Sequence, residues 1–132
     1  MIVIKNEQIS PFDIDGTLVC HAFEGEIPPG ESVRVYDAVS KGYVLVQINR
    51  PMVRLLREAK SRGDFVIAWS RGGHRWAADV IKALDLVECV DLVLSKPMAY
   101  FDDTEIQNWL PYRVMIQPGT AYKTLTHNKK GV

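Results

Sequence analysis

Cysteine is scarce in this chain: Cys20 and Cys89 are the only two among 132 residues. Two are too few for a disulfide framework. Both are expected to be packed thiols rather than ligands or nucleophiles, which fits a reducing cytosol. Long apolar runs are missing as well. Nothing approaches the roughly 20 residues of a membrane span, and the opening MIVIKNEQIS is too short and too polar for a signal peptide. A cytoplasmic protein with no membrane partner is therefore expected. No excess of either charge exists, since sixteen Lys and Arg balance sixteen Asp and Glu. Neutrality argues against gripping nucleic acid by general basicity but leaves room for a local basic groove. Internal repeats, low-complexity tracts and Pro/Ser-rich linkers are also absent, which excludes collagen and coiled coil. What remains is ordinary: 47% hydrophobic and 24% charged residues, as in a soluble globular protein. A single domain over 1–132 is expected.

Short apolar runs alternate with amphipathic helical stretches, a pattern that reads as α/β. The first strand is expected from Ile9 to Ile14. Pro11 is unwelcome in a central strand, so that strand should begin there or carry a bulge. Residues Cys20 to Gly30 read as loop, broken by Pro28, Pro29 and Gly30. Val33–Tyr36 and Tyr43–Ile48 read as a β-hairpin around the turn-like stretch Asp37–Gly42. A helix is expected after Asn49, a good N-cap, with Pro51 in its first turn and Gly63 as its stop. Its apolar side is Met52, Val53, Leu55, Leu56 and Ala59. Phe65–Trp69 has the continuous apolar character of a buried parallel strand. Trp76, Ala77, Val80, Ile81 and Leu84 then recur at helical spacing and read as core. Further strands are expected at Asp91–Leu94, Ala99–Phe101 and Arg113–Ile116. Thr104 and Gln107 make a capping box for a brief helix through Trp109. The tail from Thr120, including Lys129 and Lys130, reads as a polar, solvated terminus.

Three chemistry-bearing segments lie at strand ends. Asp13-Ile14-Asp15-Gly16-Thr17-Leu18 follows the first strand, Ser70-Arg71-Gly72-Gly73 follows a later one, and Asp102-Asp103 closes another. Ligands bind beyond the carboxyl ends of strands in open parallel sheets. Clustered carboxylates repel one another unless a cation joins them. As hard oxygen donors they suit Mg²⁺, whose open positions suit phosphate oxygens. Within Asp13-x-Asp15, one carboxylate can attack phosphorus as a nucleophile while the other moves a proton. The proton carrier needs a raised pKa for part of the cycle. Gly16 lets the chain turn sharply. The Ser70 hydroxyl and backbone N–H groups at a helix start can cradle phosphate oxygens. Lys96 can neutralise the phosphoryl charge, and Arg71 suits anion recognition.

The segment Asp13-Ile14-Asp15-Gly16-Thr17-Leu18 resembles the first motif of the haloacid dehalogenase superfamily. Ser70 at the end of an apolar strand is similar to its second motif, Lys96 to its third and Asp102-Asp103 to its fourth, in the expected order. The wider pattern, through Val35-Tyr36-Asp37, Trp69-Ser70-Arg71-Gly72-Gly73-His74 and Ser95-Lys96-Pro97, resembles small phage-encoded members. The resemblance implies a three-layer Rossmann-like parallel sheet of strand order 5-4-1-2-3. It implies Asp13 as nucleophile and Asp15 as general acid/base. Mg²⁺ would sit on the Asp13 carboxylate, the Asp15 backbone carbonyl and Asp102, with Asp103 as a neighbouring or alternate partner. Thr17 would help shape the phosphate loop, and Ser70 and Lys96 would hold the phosphoryl group. Gly16, Arg71 and Gly72 are candidate substrate contacts beside them, read from turn and anion chemistry. Aspartate at position 15 favours phosphate chemistry over dehalogenation.

Plainer roles stand beside these. Asp103 can help start the helix at Thr104, Ser70 can be an N-cap, and His74 and His21 can be ordinary surface histidines. Lys96 lies six positions before Asp102, fewer than the dozen or so residues of a parallel connection. Either the fourth strand is very short or Lys96 reaches in from the side, with Arg71 as the substitute cation.

Asp13 and Ser70 are 57 positions apart, whereas a whole strand-helix-strand unit takes about 30 residues. The surplus, about 20–48, is expected to form a flap after the first motif. Arg34, Tyr36, Lys41 and Tyr43 are candidate contacts on it, with ordinary cross-strand pairing as the alternative. The leading expectation is a Mg²⁺-dependent phosphatase acting on a small phosphate ester such as a nucleotide or sugar phosphate. A polynucleotide end phosphatase and a catalytically silent phosphate-binding or interaction module are the alternatives.

Overall fold

The apolar run expected as a buried strand is β5, Phe65–Ser70, in the centre of a three-stranded parallel sheet ordered β1-β5-β6. Strand β1 spans Ile9–Asp13 and β6 spans Leu92–Ser95. This computed structural model describes residues 1–21, 31–110, 112–116 and 124–129. Helix α1, Arg50–Ser61, and helix α2, His74–Ala83, both pack on β5. The molecule is therefore α/β.

Pro11 sits in β1 opposite Ile67. Gln8 accepts from the Phe65 amide and the Ile14 amide donates to Trp69. In a parallel ladder alternate residues bond the same neighbour, so the even-numbered residues of β1 face β5. The missing N–H of Pro11 points to the other side, where no described strand pairs. A proline is tolerated on such an edge, and neither a bulge nor a late start is needed.

A second sheet, ordered β2-β4-β3, is antiparallel. It contains the expected hairpin, β3 (Ser32–Asp37) with β4 (Gly42–Ile48), paired from Ser32 with Gln47 to Asp37 with Gly42. Strand β2, Val19–His21, pairs with β4 where loop was expected from Cys20. Val19 and Cys20 are buried there, and burial commits their backbone groups to a ladder. The rest of that expected loop, with Pro28, Pro29 and Gly30, lies outside the described residues.

Asn49 caps α1 as expected, its side chain accepting from the Met52 amide. Leu55 is exposed and does not join the buried side. In α2 the expected set Trp76, Ala77, Val80, Ile81 and Leu84 is buried. These side chains join Ile14, Leu18, Val35, Val46, Leu56, Val66 and Leu86 in one core.

The second half of the chain departs further from expectation. No strand forms at 99–101, where Phe101, like the preceding Met98, is almost fully exposed. Pro97 and the short spacing after Ser95 leave no room for a parallel return. Strand β7, Tyr112–Ile116, does form, but it pairs antiparallel with β8, Thr124–Lys129. Thr124–Lys129 was expected as a solvated tail. A nearby antiparallel partner costs little loop closure compared with a distant parallel one. Among the described residues there is no fourth or fifth parallel strand, so the order 5-4-1-2-3 is not seen. The short helix α3, Ile106–Trp109, starts at Glu105 without a side-chain cap bond, and Thr104 bonds back to Asp102 instead. No helix among the described residues is long and apolar enough to cross a membrane.

Candidate active site

The parallel register brings three strand ends together. Asp13, the last residue of β1, lies opposite Trp69, and Ser70, the last of β5, lies opposite Ser95. Lys96 follows directly, its amide donating to the Ser70 carbonyl at 2.8 Å. From this position its Nζ stands 3.8 Å from Asp13 Oδ1. Lys96 thus reaches Asp13 from the end of the third parallel strand, and no further strand is needed to present it. Arg71 is exposed in the turn after β5, and Lys96 is the cation that meets Asp13.

The loop after β1 is tightly wound. The Thr17, Leu18 and Val19 amides converge on the Ile14 carbonyl at 3.2, 3.0 and 3.2 Å. Gly16 adopts φ 81°, where an L side chain is strained, and its amide donates to Val19 at 2.8 Å. This winding turns Thr17 back, so that Oγ1 donates to Asp13 Oδ2 at 3.3 Å. Asn49 clamps the loop from α1, with Nδ2 donating to the Thr17 carbonyl at 2.9 Å.

Asp13 is partly exposed. Burial pushes its carboxyl pKa above the ordinary value, opposed chiefly by Lys96 and then by hydrogen bonds from Ile14 and Thr17, while the nearby Asp15 charge adds to the rise. Its negative charge is therefore incompletely compensated.

Asp15 is held by donors from β5 and α2. Ser70 Oγ donates to Oδ2 at 3.0 Å and Trp76 Nε1 donates to Oδ1 at 2.9 Å. Ser70 Oγ in turn accepts from the Gly72 amide at 2.9 Å, which leaves its own hydrogen for Asp15. Ser70 is fully buried. The hydroxyl expected to face a phosphoryl group is thus committed to Asp15. Gly72 is a close fit, since a Cβ there would lie 3.3 Å from Ser70 Oγ and 3.4 Å from Trp76 Cδ1.

Trp76 and Ser95 are the site residues that sequence reasoning missed. Trp76 has core spacing, and only the fold aims its N–H at Asp15. Ser95 Oγ accepts from the His74 amide at 3.0 Å and lies 3.4 Å from the His74 ring Nδ1. Its place directly before Lys96 was the available signal.

The hairpin stands beside this edge. Asp37, Val39, Val44, Asp15, Gly72 and Trp76 line a groove of about 320 Å³. The Ala38 amide donates to Asp79 of α2 at 3.1 Å, tying the turn to that helix. Tyr36 and Tyr43 pair across the strands with ring centroids 5.3 Å apart on the hairpin's exposed face, which Arg34 shares by strand alternation. Lys41 is exposed in the turn. None of the four lines the groove, and for the two tyrosines cross-strand pairing is the observed role.

Mg²⁺ is commonly held by one or two carboxylates, with water and substrate phosphate completing its shell. Asp13 suits such an ion, being accessible, oxygen-bearing and under-compensated. Asp102 and Asp103 are exposed. Asp102 Oδ1 accepts from both the amide and the hydroxyl of Thr104 at 3.0 Å, bonds that hold its carboxyl below the usual range. Among the described residues no group of three or more His, Cys, Asp or Glu is gathered to hold a metal. The fit is that of a one-carboxylate site completed by substrate.

Compared with known proteins, this chain matches no family model, no curated protein and no solved structure.

Proposed function

We propose that this protein is a Mg²⁺-dependent phosphomonoester hydrolase of the haloacid dehalogenase kind, acting on a small phosphate ester through an aspartyl-phosphate. The observation that carries this reading is the meeting of Asp13 with Lys96 at 3.8 Å, on a parallel sheet's carboxyl edge and beside a second carboxylate.

In the first half-reaction an Asp13 carboxylate oxygen forms a bond to phosphorus as the ester P–O bond breaks. The leaving alkoxide takes a proton from the Asp15 carboxyl. In the second half, water attacks phosphorus and the P–O bond to Asp13 breaks. Asp15 accepts the water's proton, which returns the carboxylate nucleophile and releases phosphate. Lys96 balances charge on the phosphoryl oxygens and on Asp13. Thr17 orients Asp13, and Ser70 with Trp76 orients Asp15. Mg²⁺, held by Asp13 and the substrate's oxygens, would offset the repulsion between nucleophile and phosphate. In this reading the β3–β4 hairpin is the flap.

Hydrolysis of an aryl phosphate with Mg²⁺, with EDTA and by Asp13→Asn tests the proposal. Turnover that requires both metal and Asp13 is expected. Turnover that persists in Asp13→Asn would sink it. A second reading, a phosphate-binding module without turnover, draws on the absence of a gathered metal group among the described residues. Phosphate binding by a folded wild-type protein that hydrolyses no ester would favour that reading.

A further inference from the structure

The groove beside Asp15 carries information about the alcohol half of the substrate. A general acid must lie within hydrogen-bond reach of the oxygen it protonates. If Asp15 protonates the leaving group, that group lies along the wall Asp15 forms. The same wall continues through Gly72, Trp76, Val44 and Val39 to Asp37.

The chemistry of this lining is one-sided. Val39, Val44 and Trp76 offer apolar surface. The charged residues are Asp15 and Asp37, and no Lys or Arg lines the groove among the described residues. Hydrogen bonds from Ser40 Oγ at 2.9 Å and the Val39 amide at 3.0 Å engage Asp37 and hold its carboxyl below the ordinary range. It therefore stays charged at neutral pH. The wall is also fixed in place, because the Lys41 amide closes the turn onto the Asp37 carbonyl at 2.8 Å and Ala38 is tied to Asp79. A volume of about 320 Å³ is at the small end of ligand pockets.

We infer that this groove is the leaving-group subsite and that it selects phosphate monoesters whose alcohol is apolar and uncharged. The inference rests on the phosphatase reading and narrows it. A polynucleotide end, or any alcohol bearing a second anionic group, would bring negative charge against Asp37 with no cation among the described lining residues to meet it. Like-charge juxtaposition of this kind is an effective way of rejecting a wrong partner.

The test compares kcat/KM for three esters with closely similar alkoxide leaving groups: phenethyl phosphate, its para-carboxyl derivative and a 5′-phosphorylated dinucleotide. Wild-type protein is expected to prefer phenethyl phosphate over both charged esters by about tenfold or more, the scale of a modest charge penalty. Val39→Lys places a cation on the groove at an exposed turn position. It is expected to narrow that preference by about threefold or more, as compensation of one charge would. Equal or reversed preference in the wild type, or a preference that Val39→Lys does not move, overturns the subsite while leaving the phosphatase intact. No hydrolysis of any of these esters or of an aryl phosphate overturns the phosphatase reading and the subsite with it.

Discussion

Trp76 donates its indole N–H to Asp15 Oδ1 at 2.9 Å, although its ring is almost wholly buried in the core beneath α2. An indole nitrogen can donate but cannot accept. The pairing therefore defines which way the Asp15 carboxyl turns. Trp76→Phe keeps most of the packing and removes the donor. It is expected to lower kcat by about 10- to 100-fold, the scale of a misplaced acid–base group, with KM nearly unchanged. Steady-state kinetics and thermal unfolding read the two effects separately. A loss of kcat that merely tracks a loss of folded protein would contradict a positioning role.

Asp13 attacks only as a carboxylate, and burial raises its pKa. In the metal-free protein the Asp13 carboxyl should therefore titrate above the ordinary value. Lys96 is the largest influence opposing that rise, so Lys96→Met should move the titration further up. Carboxyl NMR titration of both metal-free proteins checks this. A titration that does not move would show that Lys96 acts on the phosphoryl group alone.

The same shift has a stability consequence. With a folded pKa above the unfolded one, the favourable contribution is complete below the unfolded pKa and is lost as pH rises through the folded pKa. At neutral pH the ionised Asp13 is a liability to the fold. Asp13→Asn should be more stable than wild type near neutrality, and the difference should fade in acid. Denaturant titrations at acid and neutral pH would reveal the opposite trend if the burial cost is absent.

Asn49 does three things at once while buried: it caps α1, clamps the Thr17 carbonyl and donates its own amide to Leu18. Asn49→Ala loses a cap and leaves the half-buried Thr17 carbonyl without its side-chain donor, a combined cost of about 1–3 kcal/mol. The urea midpoint should fall accordingly. A drop of under about 0.5 kcal/mol, the level of an ordinary surface substitution, would mean that the loop holds itself.

Metal binding separates the two acidic motifs. Titration calorimetry with Mg²⁺ should show affinity lost in Asp13→Asn and altered by no more than about threefold in Asp102→Asn, the scale of a remote surface charge. Equal losses in both variants would mean that the 102–103 turn closes onto the site when metal enters.

Much of the fold was readable from local pattern. The apolar run at β5, the cap and stop signals of α1, the helical spacing of α2 and the paired strands around Asp37–Gly42 are short-range features, and each formed where expected. The run Asp13–Leu18 likewise announced a tight loop with two carboxylates. The errors came where strand formation depends on a partner that the segment's own composition does not name. Residues 99–101 have strand-like composition but no partner. The chain from Thr124 looks like a tail until Tyr112–Ile116 offers it an edge. Arg34, Tyr36 and Tyr43 have the composition of contact residues, yet the hairpin register turns the two tyrosines to its exposed face.

By itself, the sequence determined which residues can do chemistry here and which segments can be helix or strand, because side-chain type and hydrophobic period are local properties. Tertiary structure decided which of them meet. Parallel pairing of β5 with β6 carries Lys96 to Asp13. The packing of α2 turns a core tryptophan into a donor for Asp15. The direction of the β3–β4 turn makes a groove wall of Val39 and Val44. Each is a contact between segments distant in sequence, selected by burial of the whole core, and no local pattern records it.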